Sequence, residues 1–427
     1  MSTPSRPSSA GHASLSLSFR QLLSLTVLAV GFHAAHALGA TIQSAGKLTF
    51  VDANTVVVAD WRGGQLHAIT LPAASPGTSA AFNLKNVSGA IARALHTSAE
   101  KLRFEDMAMR PGSELAYLSL SVEGKTKQAR PTPALVSVTT AGRVDVIPLD
   151  RARRESVVIG NVPAADKHLW RETPAATYTV TDMTYHAGKL YVAGLSNASF
   201  ASTLRVFDFP FKGDAAVSSI EMYHPVHNMR ETRAPIRKMV IATLNGEPTL
   251  VAAFTCSPLV TIPLKDLKDG AHIPAKTIAE FGWGSAPVGM VMFDAGQGPM
   301  VLLTHSHKSA DLLSVTDIAQ ASTQPGLAAP IKWPTEPVLG VKSIYVPVRV
   351  AHIDNQDETF LAALRRNEAS GAMELVSMRK GLFLRLSDFV NEYDFADFRY
   401  AEKDGWRDVH GTLRTDEGYA DLAPAKQ

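Results

Sequence analysis

Short apolar strands separated by glycine-containing turns recur along the chain. The apolar runs are about 4–8 residues long, which is typical of strands and too short for most helices. Turns such as Ala187-Gly188 and Asn245-Gly246 have hairpin chemistry, because glycine readily takes a positive φ. Six copies of the unit can be aligned, at residues 48–71, 106–122 with 134–149, 182–210, 238–264, 289–315 and 343–378. The pattern predicts an all-β protein.

The spacing of the copies predicts one ring of blades. Their starts are about 50–75 residues apart, the spacing of four-stranded propeller blades with loop insertions. We therefore expect a single β-propeller of six or seven four-stranded blades over residues 41–385, with an amphipathic helical insertion at 86–105. Two β-sandwich domains, the alternative, would need a Pro/Gly/Ser-rich linker near the middle, and the sequence has no convincing one. We expect the charged and aromatic residues 386–427 to form a C-terminal extension that packs on the propeller.

Two of the copies resemble a known group of proteins. Residues 55–71 read TVVVADWRGGQLHAITL, and residues 189–209 read KLYVAGLSNASFASTLRVFDF. Both segments resemble the strand–turn–strand element of the bacterial YVTN, NHL and quinoprotein-amine-dehydrogenase-like β-propeller group. The resemblance implies a propeller over most of residues 41–385, but this structural motif implies little about activity.

The first 40 residues have the order of a secretory signal peptide. Arg6 and Arg20 precede the apolar run at 22–31, and a stretch of small residues follows. A membrane anchor, the alternative, needs about 18–20 apolar residues, and this run is shorter. We expect cleavage after Ala37 or Ala40, which leaves a periplasmic or secreted protein without a transmembrane segment.

Composition excludes several classes of function. Of the 427 residues, 42 are Lys or Arg and 40 are Asp or Glu, so the net charge of +2 lacks the basic field of a nucleic-acid-binding protein. The expected signal peptide holds two of these basic residues and no acidic one, so the rest of the chain is balanced at 40 against 40. The single cysteine excludes an internal disulfide, a zinc site built from several cysteines and covalent haem attachment through C-x-x-C-H. The lack of disulfides favours a bacterial periplasm.

Aligning the copies brings polar residues to one predicted face, where the loops of a propeller carry its binding groups. The second strands end in Asp60-Trp61, Ser196-Asn197, Thr255-Cys256 and Thr304-His305. Two predicted blade-entry loops, 168–173 and 227–232, both read H-x-x-R-E-T. We expect both strings at the same mouth of the channel, with Trp61 and Asn197 as further ligand contacts.

The histidines of this face suit a metal site, since neutral imidazole is a ligand for Zn, Cu or Fe. The candidate ligands are His224, His227, His305 and His307. On a strand the last two share a face, whereas the first two share one only in a turn. In the alternative interpretation they line a wet channel and bond to loop carbonyls. The nearby Arg230 and Arg233 would repel a cation.

The arginine–glutamate pairs also have two interpretations. In the first, Arg171, Arg230, Arg233 and Arg237 form a trap for a carboxylate or phosphate. Glu172 or Glu231 would then act as a general base beside His168 or His227. In the second interpretation, each pair locks its own entry loop against the neighbouring blade. The sequence leaves both open.

Cys256 is a candidate nucleophile, provided that a histidine such as His227 or His305 lowers the pKa of its thiol. A solitary cysteine in an apolar run is more often a small buried residue.

Two classes of function remain. We expect an exported propeller whose loop-rich face binds a small anionic ligand or a periplasmic protein. The alternative is a periplasmic enzyme or enzyme subunit with its site at the same mouth, either a quinoprotein-like oxidoreductase or a metal-dependent hydrolase or lyase assisted by His and Glu. The histidines suggest Zn or Cu as a cofactor, and the sequence identifies neither the cofactor nor the substrate.

Overall fold

The computed structural model describes residues 41–380 and 397, apart from positions 76, 78–79, 127–128, 257, 283–284 and 332–338. At position 171 only the backbone is described. The expected signal peptide at 1–40 lies outside the described residues, and so does the expected extension at 386–427 except for residue 397. These two segment assignments stay predictions.

Strands make up most of the regular structure. The first thirteen are β1 (Leu48–Asp52), β2 (Thr55–Asp60), β3 (Gln65–Thr70), β4 (Asn83–Leu84), β5 (Leu102–Met109), β6 (Ala116–Val122), β7 (Thr132–Val138), β8 (Val144–Ile147), β9 (Arg154–Val158), β10 (Asp182–His186), β11 (Lys189–Leu195), β12 (Ser202–Asp208) and β13 (Ala216–His224). The others are β14 (Met229–Glu231), β15 (Ile236–Leu244), β16 (Glu247–Phe254), β17 (Pro258–Pro263), β18 (His272–Glu280), β19 (Pro287–Asp294), β20 (Pro299–His305), β21 (Ala310–Ser314), β22 (Leu339–Gly340), β23 (Ile344–Val346), β24 (His352–Asn355), β25 (Phe360–Arg366) and β26 (Met373–Arg379). The all-β class is confirmed.

Helices are short. They are α1 (Val87–Ala94), α2 (Val315–Thr323) and single 3-10 turns at Ala99–Lys101, Trp170–Glu172, Ala175–Tyr178 and Leu264–Asp266. The helix expected at 86–105 is therefore much shorter than predicted. It begins at the N-cap Asn86, whose side chain accepts a hydrogen bond from the Gly89 amide, and the chain turns away at His96, which has a φ of +53°.

The strands form six antiparallel units of four. Unit 1 is β1-β2-β3-β9, unit 2 is β5 to β8, unit 3 is β10 to β13, unit 4 is β15 to β18, unit 5 is β19-β20-β21-β23 and unit 6 is β24-β25-β26-β4. Two outer strands, β4 and β9, thus complete units formed by distant parts of the chain. In units 3 and 4 the outer strands β13 and β18 pair in parallel, which joins both units, with β14 and β22, into one sheet of ten strands.

The units are arranged as in a propeller. Their first strands contact one another in a closed circuit, from β1 through β10, β15, β19, β24 and β5 back to β1. Because of the ten-stranded sheet, however, the described residues contain five sheets, four of them four-stranded. The prediction of six or seven separate four-stranded blades is wrong on this point. Local strand patterns could not reveal that two outer strands pair with each other.

The core consists of apolar layers between neighbouring units. Between units 3 and 4, for example, Leu204 and Ile220 pack with Leu250 and Val260, all fully buried. Burial of one such side chain contributes about 1.5–3 kcal/mol. Because both faces of each unit are covered, the strands read as continuous apolar runs rather than as alternating ones. The first strands surround a central cavity of about 490 Å³.

Candidate metal centre

The turn after β13 brings His224, His227 and Glu231 together. In the pairing of β13 with β14, Met222 lies opposite Glu231, Tyr223 opposite Arg230 and His224 opposite Met229. Because side chains alternate along a strand, His224 and Glu231 share one face of this ribbon, and Arg230 lies on the other. There the Arg230 guanidinium donates a hydrogen bond of 2.9 Å to Oε1 of Glu221. The arginine expected to repel a cation therefore has an acidic partner and faces away.

One carboxylate oxygen holds both imidazoles. Oε1 of Glu231 lies 2.9 Å from Nδ1 of His224 and 2.5 Å from Nδ1 of His227, and the two ring centroids are 3.9 Å apart. Burial alone would raise the pKa of Glu231, but the hydrogen bonds from the two histidines outweigh it and lower this pKa. An ionised carboxylate only accepts hydrogen bonds, so each neutral ring carries its proton on Nδ1 and presents a lone pair on Nε2. Carboxylates orient metal-binding histidines in this way.

Cys256 approaches the two histidines from unit 4. It follows β16, in the turn to β17, and is half-buried. One ligand atom of His224, one of His227 and Sγ of Cys256 all lie within 4.8 Å of one another. Cys256 has a φ of +64°, a conformation that is unusual for residues other than Gly, Asn and Asp. Such strained positions cluster at functional sites.

Glu280 lies beside this group, next to His224, and the sequence analysis missed it. It is the last residue of β18, and the parallel pairing of β13 with β18 brings the ends of both strands to the same edge. Its Oε2 lies 3.7 Å from Nε2 of His224. Neither atom has a hydrogen-bond partner among the described residues. Burial raises the pKa of Glu280 to about 8. A single acid after the apolar run of β18 gives no sequence signal of this role.

We call His224, His227, Glu231, Cys256 and Glu280 the His–Cys–Glu cluster. In chemical terms it holds two imidazoles and one thiol as candidate ligands, a buried carboxylate next to His224, and a second carboxylate that orients the imidazoles. This donor set suits Zn(II) or Cu(II), which bind nitrogen and sulfur ligands well.

The other two histidines predicted as metal ligands lie outside this cluster. His305 is fully buried, and its Nε2 lies 2.8 Å from Oδ2 of Asp311. Lys308 Nζ donates to the same Asp311 oxygen at 2.7 Å. Burial lowers the pKa of His305. His307 is exposed, and its Nδ1 lies 2.6 Å from the Ser306 hydroxyl.

The two H-x-x-R-E-T strings fold differently. The second forms the turn and β14 described above, whereas the first contains the 3-10 turn Trp170–Glu172, in which Glu172 has a φ of +59°. His168 Nδ1 contacts the Asp166 carbonyl at 2.9 Å, and the side chain of Arg171 lies outside the described part. Arg233 is exposed. The arginine trap therefore stays a prediction, and identical strings did not ensure identical structure.

The structure also shows where Asn197 and Trp61 lie, the two other residues that the sequence predicted as ligand contacts. The Asn197 amide donates to the carbonyl of Asn161 at 3.0 Å, and its side chain is exposed. Trp61 is half-buried, and the Arg62 guanidinium lies 4.4 Å from its ring centroid. Among the contacts of the described residues, none joins either residue to the His–Cys–Glu cluster.

A second group of charges lies at the central cavity. We call Lys47, Asp106, Asp182, Lys238 and His352 the channel cluster. Asp106 Oδ2 accepts a hydrogen bond from the Leu48 amide at 3.0 Å, and Asp182 Oδ2 accepts one from the Met239 amide at 2.8 Å. Each aspartate thereby ties its own first strand to that of a neighbouring unit.

The cations of the channel cluster satisfy the remaining carboxylate oxygens. Lys238 Nζ lies 2.9 Å from Oδ1 of Asp182 and 4.0 Å from Oδ1 of Asp106. Lys47 and His352 approach that Asp106 oxygen at 3.7 and 3.2 Å. Burial alone would raise the pKa of Asp106, but Lys47, Lys238 and His352 hold it well below its usual range. The cluster was missed, although three aligned copies begin DM, DM and KM, at 106, 182 and 238.

Comparisons with known proteins do not identify a family for this chain. No profile of a known protein family matches the chain, and no curated protein sequence does. Solved structures with some likeness include a glucose dehydrogenase (11% identity, 79% of this chain and 96% of that one, TM-score 0.30). A second is a luciferin-regenerating enzyme, with 10% identity over 80% of this chain and 92% of that one and a TM-score of 0.29. A third is Sqt1 of Saccharomyces cerevisiae, with 10% identity over 77% of this chain and 72% of that one and a TM-score of 0.30. Likenesses this distant carry no argument about activity, and the resemblance to the YVTN and NHL group stays a prediction.

Among the described residues, none of the helices combines the length and the apolar character that crossing a membrane requires.

Proposed function

We propose that the protein is an exported β-propeller that binds a divalent transition metal, Zn(II) in the first place, through His224, His227 and Cys256. The observation that carries this proposal is the double hydrogen bond to Glu231. It fixes Nδ1 of both imidazoles and leaves both Nε2 lone pairs available, beside the only thiol of the chain. The metal ion, rather than a small anion, is then the ligand of this loop region.

The proposal keeps a binding module as the main function. An anionic ligand has less support, because Arg230 is bonded to Glu221 and no contact among the described side chains joins the predicted arginines. A metal-dependent hydrolase is the second candidate, since the same ligands would hold a catalytic ion. It requires a coordination position that is open to substrate.

Metal analysis of the purified protein tests the proposal. The protein is stripped with a chelator, dialysed against Zn(II) and analysed by elemental mass spectrometry. We expect one zinc per wild-type chain. His227→Ala should lose the zinc, because it removes a ligand. The side chain of His227 is 47% exposed, so its truncation leaves no cavity in the core. His307→Ala is the matched control, an exposed histidine outside the cluster, and should keep the zinc. Equal zinc content in wild type and His227→Ala would refute the proposal.

Export rests on the pattern of residues 1–40 alone. Its check is the mass of the protein recovered from the periplasm or medium, which should correspond to a chain beginning at Leu38 or Thr41.

A further inference from the structure

Two buried polar atoms face each other at the junction of units 3 and 4. Nε2 of His224 and Oε2 of Glu280 are 3.7 Å apart, their side chains are 1% and 0% exposed, and neither has a hydrogen-bond partner among the described residues. With the His224 proton on Nδ1, Nε2 presents a lone pair, and an ionised Glu280 presents another. Two such groups are stable together only if a proton or a cation lies between them.

The charge of Lys308 acts on Glu280, but the hydrogen bonds of this lysine go to other groups. Lys308 Nζ donates to the Phe281 carbonyl and to Oδ2 of Asp311, both at 2.7 Å. The other oxygen of Glu280, Oε1, accepts a hydrogen bond of 3.1 Å from the Gly282 amide. One end of the carboxylate is thus fixed by the backbone, and the other end points at the histidine. Such fixing orients metal-binding carboxylates.

We propose that Glu280 is the fourth protein ligand of the metal, which makes the centre a closed site of two histidines, one cysteine and one glutamate. This inference rests on the metal site proposed above. A separation of 3.7 Å fits two ligands of one tetrahedral ion, given bonds of about 2.0–2.2 Å. The thiolate and the carboxylates of Glu280 and Glu231 surround the site with negative charge, which favours a divalent cation. This attraction matters because the side chains of His224 and Glu280 are 1% and 0% exposed.

The inference separates the two candidate functions. His224 and His227 come from unit 3, whereas Cys256 and Glu280 come from unit 4. The ion therefore joins the two units of the ten-stranded sheet and has no fourth position left for a substrate. A closed site holds its metal and supports the binding module over the hydrolase.

Cobalt spectroscopy of the full-length chain tests the inference, because Co(II) replaces Zn(II) and its visible bands report the number of ligands. In the wild type we expect intense bands of a four-coordinate ion together with a thiolate-to-cobalt charge-transfer band. Glu280→Gln should weaken the visible bands and lower Co(II) affinity by at least about tenfold, while keeping the thiolate band. Glu221→Gln is the matched control, an acid on β13 bonded to Arg230 rather than to the cluster, and should bind as the wild type does.

Failure of the inference is distinguishable from failure of the metal site. If Glu280→Gln binds Co(II) with unchanged affinity and spectrum while the wild type shows the thiolate band, Glu280 is not a ligand and the three-ligand site stands. If the wild type shows no thiolate band, both are overturned. Misfolding is no alternative explanation as long as the circular dichroism spectrum and the unfolding midpoint of metal-free Glu280→Gln match those of the metal-free wild type. Because burial raises the pKa of Glu280 to about 8, its carboxyl is protonated at neutral pH in the metal-free protein, and a glutamine of the same shape should leave that midpoint nearly unchanged.

Discussion

The channel cluster and the His–Cys–Glu cluster are both built from buried ionisable side chains, but they differ in how fully those groups are satisfied. In the channel cluster, Asp106 and Asp182 each have a backbone amide and at least one cation as partners. Nδ1 of His352 has no hydrogen-bond partner among the described residues, but it lies 3.2 Å from Oδ1 of Asp106. In the His–Cys–Glu cluster, Nε2 of His224 and Oε2 of Glu280 have no partner among the described residues. Carboxylates matched by amides and cations are explained by stability alone, whereas an unmatched carboxylate oxygen that faces an unmatched imidazole nitrogen calls for a proton or a ligand between them.

The largest effect should follow from breaking the channel cluster. Asp106→Ala removes a carboxylate that faces Lys47 and Lys238 and accepts the Leu48 amide. We expect the free energy of unfolding, measured in urea, to fall by about 3–5 kcal/mol, because buried cations lose their counter-charge. Asp208→Ala, which removes the exposed partner of Lys189, is the control and should cost about 0–1 kcal/mol. A similar small effect for both would show that the channel cluster does not hold the ring together.

Zinc should stabilise the folded protein by binding to the His–Cys–Glu cluster. At a free zinc concentration 100 times the dissociation constant, the free energy of unfolding should rise by about 2.7 kcal/mol, because the ion binds the folded state. Cys256→Ser should show little of this rise at the same zinc concentration, since it removes the thiolate. Equal stabilisation of wild type and Cys256→Ser would place the zinc elsewhere.

In the metal-free protein, the pH dependence of the free energy of unfolding should reveal the raised pKa of Glu280. The pKa of Glu280 is raised to about 8 in the folded state, from 4.5 when solvated. The folded state then holds the proton more tightly, so this contribution to stability is full below about pH 4.5 and is lost as the pH rises through about 8. Within that window the free energy of unfolding should fall by up to about 1.4 kcal/mol per pH unit relative to Glu280→Gln. If the free energy of unfolding depended on pH in the same way in the wild type and in Glu280→Gln, the raised pKa of Glu280 would be contradicted.

Arg230 should have the smallest effect. Its guanidinium is exposed, bonded to Glu221 and on the opposite face of the ribbon from Glu231. We expect Arg230→Ala to lower the free energy of unfolding by about 0–1 kcal/mol and to leave zinc affinity unchanged. A gain in zinc affinity would mean that the arginine does repel the ion, as the sequence suggested.

The strand pattern predicted the all-β class because buried strands and glycine turns are local features. It did not predict how β4 and β9 complete distant units, since β4 has two residues and β9 is exposed along much of its length. Likewise, His224, His227, Glu231 and Cys256 were recognised as separate candidates. Their assembly depends on the parallel pairing of β13 with β18, which also brings in Glu280. Pairing between distant strands leaves no mark in local sequence.

Anomalous diffraction from a crystal of the zinc-loaded protein shows directly whether zinc binds at His224, His227 and Cys256. We expect one strong peak at the zinc edge, with Nε2 of His224 and His227 at about 2.0–2.1 Å and Sγ of Cys256 at about 2.3 Å. A zinc-loaded crystal with no peak at these three atoms, or with its main peak at His305 or His307, would contradict it.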